Sequence, residues 1–84
     1  MNNRVDTYCK VCGYDLQFFP WGKDGKNPSF DICDCCGVEF GNEDIDEKSI
    51  VEYRKEWISK GKQWFDNKKE PDNWNFERQM KNIS

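Results

Sequence analysis

A chain of 84 residues holds one small domain, and its hydrophobic share of 36% is a thin supply for a core. Cores of this size contribute only about 3–5 kcal/mol, so an additional staple is expected, and five cysteines are the available material. The formal net charge of −3 has the wrong sign for general attraction to a phosphate backbone, while four Trp, three Tyr and six Phe argue against disorder.

In chain order, the first element is a Cys9-Lys10-Val11-Cys12-Gly13 knuckle. Tyr14 to Phe18 then alternates apolar and polar residues, the period-2 pattern of a half-buried strand. Pro20 to Pro28 is dense in turn residues and reads as an exposed loop containing Trp21. Phe30-Asp31-Ile32 alternates again, leads into a second knuckle, Cys33-Asp34-Cys35-Cys36-Gly37, and is followed by a third alternating run, Val38-Glu39-Phe40. If the three runs pair, Tyr14, Leu16, Phe18, Phe30, Ile32, Val38 and Phe40 share one face of a three-stranded antiparallel sheet.

The second half reads as helix. Asp44 is placed to cap it, with Glu47 three residues on as in a capping box. Ile50, Tyr53, Trp57, Ile58 and Trp64 fall on one helical face, which predicts a long helix over 44–65, with Gly61 as a candidate left-handed cap. A polar linker from Asp66 to Glu70 precedes a short C-terminal helix over 72–83, beginning at Pro71-Asp72-Asn73 and striped by Phe76, Met80 and Ile83. All five cysteines lie before Asn42, so the whole forms one domain over 1–84, with the cysteine-bearing part at 8–41.

The two knuckles carry the chemistry. A Cys-x-x-Cys turn aims two sulfurs at one point, and the glycine after it allows a tight turn whose amide can donate to a metal-bound sulfur. Two such turns supply the four thiolates of a closed tetrahedral zinc site, so Cys9, Cys12, Cys33 and Cys36 are the expected ligands of one structural Zn²⁺. A redox Cys-x-x-Cys would sit in a βαβ pattern, which is absent. An odd cysteine count without a signal sequence disfavours disulfides. Structural zinc also meets the stability deficit, because its binding couples about 10–16 kcal/mol to folding. Cys35 is the spare thiol, read as unliganded.

The knuckles, Cys9 to Tyr14 and Cys33 to Val38, locally resemble rubredoxin, whose four cysteines hold one iron for electron transfer. The interval between them is shorter than in rubredoxins, and a helical extension lies outside that family's plan. The stretch from Tyr8 to Tyr14, the Pro20–Pro28 loop, Phe30 to Cys36 and the acidic Glu43-Asp44 together resemble small bacterial cysteine-rich zinc-ribbon proteins of the CPCC type. The likeness covers roughly residues 8 to 47. It implies a metal-binding fold and carries no activity over.

The expectation is therefore a small α+β zinc ribbon followed by a long and a short helix. With no histidine, no open coordination position and no carboxylate pair in an apolar setting, no enzymatic activity is expected. The expected role is a protein–protein adaptor or inhibitor acting through exposed aromatics, with another protein as partner. Two rivals are a rubredoxin-like iron electron carrier and a nucleic-acid-binding ribbon using Lys60, Lys62, Lys68 and Lys69 beside aromatic residues. Neither a membrane span nor an apolar signal core in Met1 to Asp6 is present, so a cytoplasmic location is expected.

Overall fold

The computed structural model describes residues 5–84; Met1 to Arg4, part of the stretch searched for a signal core, lie outside the described residues. Two cysteine knuckles joined by a loop come first. They are followed by helix α1 (Glu47–Ser59), a 3-10 turn at Asn67–Lys69, helix α2 (Phe76–Met80) and a final 3-10 turn at Lys81–Ile83.

The three-stranded sheet does not form. Among the described residues there is no strand, only two isolated antiparallel bridges, Tyr8 with Asp15 and Ile32 with Glu39. The backbone gives the reason. Gln17 (φ 66°) interrupts the first alternating run, and Phe30 (φ 62°) stands at the head of the second. A left-handed residue cannot continue a pleat, so each run pairs only with its own knuckle and stops. The expected common apolar face is lost as well: Val38 and Phe40 are fully buried, whereas Phe18, Phe30 and Ile32 are exposed.

What forms instead is one small unit used twice. In the first knuckle the Cys9 amide donates to the Tyr14 carbonyl, the Gly13 amide to the Cys9 carbonyl, and the Leu16 amide to the Thr7 carbonyl. In the second, Cys33 donates to Val38, Gly37 to Cys33, and Phe40 to Asp31. These are corresponding positions, and the two bridges correspond likewise. Gly13 and Gly37 share the same left-handed φ of 83°, which closes each turn. Their amides go to backbone carbonyls rather than to sulfur as expected.

The helical half is also shorter than its periodicity suggested. Asp46 caps α1, accepting from the Ser49 amide, because the Asp44 carboxylate is engaged elsewhere, by Trp21 and Gly41. At the other end Lys62 donates to the Trp57 carbonyl and Gly61 (φ 101°) to the Ile58 carbonyl. This is the paired bonding of a Schellman cap, and it ends the helix at Ser59 rather than at residue 65. The C-terminal helix begins at Phe76, not at residue 72, because the Asn75 side chain caps it by accepting from the Arg78 amide.

The core is built on the cysteines. All five cluster with Val11, Val38, Phe40, Ile50, Trp57 and Trp64, and Tyr14, Leu16, Tyr53, Trp74 and Phe76 pack against them. Trp64 stands edge-on to both Tyr14 (5.1 Å) and Trp74 (5.4 Å), while Trp57 meets Trp74 and Phe76. This aromatic chain fastens the C-terminal segment to the knuckles, and ring pairs of this kind add about 0.5–1.5 kcal/mol each beyond their buried area. Among the described residues the buried Trp64 indole N–H meets no hydrogen-bond acceptor.

Candidate metal centre

The fold brings Cys9, Cys12, Cys33 and Cys36 together. Their four sulfurs lie within 4.8 Å of one another, and the Cys9–Cys36 and Cys12–Cys33 pairs are each 3.7 Å apart. Zinc–thiolate bonds of about 2.3 Å place tetrahedrally arranged sulfurs about 3.8 Å apart, so the separations fit a tetrathiolate cage. They are far beyond the ~2.05 Å of a disulfide, and all five cysteines are free. A tetrahedral set of four soft sulfurs suits zinc or iron.

The electrostatics ask for a cation. Burial pushes the Cys12 and Cys36 thiols well above the usual range. Cys33 is pulled far down, first by the hydrogen bond from Cys12 and then by those from Cys36 and Cys9. Four buried sulfurs cannot all ionise by themselves, whereas a bound divalent ion stabilises every thiolate at once. Around the cluster, burial and then the charge at Cys36 push the Tyr53 phenol up to about 12, which keeps it a neutral donor.

The backbone around the sulfurs is fixed by residues that no local motif marks. The Arg54 guanidinium donates from Nε to the Val11 carbonyl (2.6 Å) and from Nη2 to the Lys10 carbonyl (2.7 Å). Gln79 Nε2 donates to the Cys12 carbonyl (2.9 Å), and Asn82 Nδ2 to the Gly13 carbonyl (2.9 Å). At the second knuckle the Phe65 and Asp66 amides donate to the Cys35 and Asp34 carbonyls, and the Tyr53 hydroxyl to the Cys36 carbonyl (3.3 Å). Each knuckle's outward carbonyls are thus satisfied from the helical half, which holds the turns rigid.

Cys35 is fully buried outside the four-sulfur cluster, with its sulfur 3.5 Å from the Gln79 amide nitrogen. It occupies the position in the second knuckle that Val11 holds in the first. The Trp21 indole donates to the buried Asp44 carboxylate at 2.8 Å and pins the loop. The lysines considered for nucleic acid are largely committed. Lys60 pairs with Glu56, Lys69 with Asp34, and the Lys62 ammonium sits 4.4 Å above the Phe76 ring. Phe65, next to the buried Trp64, is exposed. Among the described residues no helix is long and apolar enough to cross a membrane.

Two curated bacterial proteins, both from Bacillus subtilis (strain 168), are similar to this chain. The uncharacterized protein YoaQ is 38% identical over 68 residues, covering 63% of this chain and 58% of the relative. The uncharacterized protein YozI is 38% identical over 69 residues, covering 63% of this chain and 57% of the relative. The chain thus spans less than two thirds of the length of these relatives. No protein-family model matches the chain, and no solved structure matches it.

Proposed function

We propose that Cys9, Cys12, Cys33 and Cys36 hold one zinc ion in a closed, structural site, and that the protein is a non-catalytic module acting by binding another protein. The carrying observation is the cluster of four sulfurs within 4.8 Å of one another, two of whose pairs stand 3.7 Å apart. Four protein ligands leave no position for a substrate or an activated water, as in structural rather than catalytic zinc sites. The ion's chemistry here is to neutralise thiolates and lock two turns together. The chain's own residues do the rest: Arg54, Gln79, Asn82 and Tyr53 hold the carbonyls that orient the knuckles.

The partner reading rests on the surface. Phe30 (60% exposed), Ile32 (45%) and Phe18 (38%) lie on the cysteine-bearing half, which carries the chain's entire net negative charge. Exposed aromatics of this kind anchor protein interfaces. The acidic balance and the committed lysines speak against nucleic acid.

Metal analysis of protein purified from its native host tests the metal. One zinc per chain in a colourless protein supports the reading, whereas iron with a visible thiolate charge-transfer band replaces it with an electron carrier. Affinity capture from the same host with wild type and Phe30→Ala tests the partner. A protein retained by wild type and lost with the variant supports an adaptor, and no specific partner for either chain removes that role.

A further inference from the structure

The four clustered cysteines differ slightly in exposure as whole residues. Cys9, Cys12 and Cys33 are 0% exposed, while Cys36 is 6% exposed. Cys36 also lines a cavity of about 200 Å³, whose other walls are Tyr53, Glu56, Trp57, Lys60 and Gln63. The cavity lies between α1 and the segment that follows its cap. Of the four clustered cysteines, Cys36 alone is on its lining. Cys9 is the sulfur paired with Cys36, at 3.7 Å, whereas Cys12 is paired with Cys33.

From this asymmetry we infer that Cys36 is the modification site of the protein: peroxide entering the cavity oxidises its sulfur, and Cys9 resolves it as a disulfide. The inference rests on the metal-site reading above. In the first step the Cys36 thiolate attacks hydrogen peroxide; an S–O bond forms, the O–O bond breaks and hydroxide leaves, giving a sulfenic acid. In the second, the Cys9 thiolate attacks that sulfur; an S–S bond forms, the S–O bond breaks and a second hydroxide leaves. The two sulfurs together lose two electrons, and one peroxide is reduced to two hydroxides. Cys12 and Cys33 alone could not enclose a cation, so a metal held by the four sulfurs would be lost and the fold would loosen. Cys35 takes no part, because it is fully buried, is not one of the four clustered cysteines and does not line the cavity.

The test uses the full-length, metal-loaded protein treated with graded hydrogen peroxide. Metal release is followed with a chromophoric chelator, and the modified cysteines are identified by mass spectrometry after blocking of free thiols. The expected result is metal release in step with a Cys9–Cys36 disulfide. Gln63→Trp, which narrows the cavity but keeps the backbone carbonyl that Trp57 uses, should slow both several-fold, and Cys35→Val should leave both rates unchanged. First oxidation at Cys12, Cys33 or Cys35, or equal rates in wild type and Gln63→Trp, overturns the inference. Metal stoichiometry before peroxide separates the two readings. A chain that holds no metal undermines the proposed site, while the order of cysteine oxidation still judges the role of Cys36.

Discussion

Val11 and Cys35 occupy corresponding positions in the two knuckles, and both are fully buried. The carbonyl of each is taken by a donor from the helical half, Arg54 for Val11 and the Phe65 amide for Cys35. The fifth cysteine is therefore a small apolar side chain in a repeated turn, a role to which free cysteine is well suited.

It follows that Cys35→Val should fold, bind metal as wild type does and change stability by less than about 1.5 kcal/mol, as volume-conserving core swaps do. Cys12→Ser removes a member of the cage and should forfeit most of the roughly 10–16 kcal/mol that metal binding couples to folding. Thermal unfolding and metal stoichiometry of the two variants decide the matter. Equal losses would mean that the ligands are wrongly assigned.

Gly13 packs directly against the backbone of the C-terminal helix. A Cβ there would stand 2.4 Å from the Gln79 carbonyl oxygen, on a backbone already at φ 83°. Gly37 has the same φ, but its nearest neighbour would be a Phe65 ring carbon at 3.4 Å. Gly13→Ala should therefore cost clearly more than Gly37→Ala, and it should release α2, seen as faster amide exchange over 76–83. A larger loss from Gly37→Ala would contradict this docking.

Arg54 bridges two carbonyls of the first knuckle at once. Removing it strands both, and charged-donor hydrogen bonds are worth about 1.5–3 kcal/mol each. Arg54→Ala should lower the thermal midpoint sharply. Arg54→Lys should restore little, because an ammonium lacks the planar fork that reaches both oxygens. Full rescue by lysine would show that charge, not geometry, is what this residue contributes.

Asp44 is 2% exposed, and its carboxylate accepts from the Trp21 indole (2.8 Å) and the Gly41 amide (2.7 Å). Asp44→Ala leaves both donors without this acceptor, at about 1–3 kcal/mol for each one that stays buried. It should also free the 20–28 loop, read as proteolytic nicking there while the metal content stays intact. An unchanged cleavage rate would count against Asp44 as the anchor of this loop.

Chelation gives a global check. Because the sulfurs lie at the centre of the core, removing the metal should abolish cooperative unfolding and near-ultraviolet dichroism of the buried tryptophans together. Retention of both after complete metal removal would show that the aromatic packing suffices without the ion.

The cage was legible in the sequence because a Cys-x-x-Cys-Gly turn is local: its spacing alone aims both sulfurs, and two such turns need only meet. Gly61 was legible only as a candidate left-handed cap, since the periodicity through Trp64 carried the expected helix past it to residue 65. The sheet was misread because alternation records which side chains are apolar, not whether the backbone can continue. Left-handed Gln17 and Phe30 stop the runs, and neither residue type announces that conformation. The start of α1 was misread because the half-buried Trp21 indole and the Gly41 amide hold the Asp44 carboxylate away from the helix. The carbonyl caps lay beyond local reading altogether: Arg54 meets Val11 from 43 residues away, and Gln79 meets Cys12 from 67. Short-range spacing thus determined the identity of the four sulfurs. Which polar groups complete their surroundings was decided only by the tertiary structure, because hydrogen bonding and burial depend on chain segments that folding alone brings together.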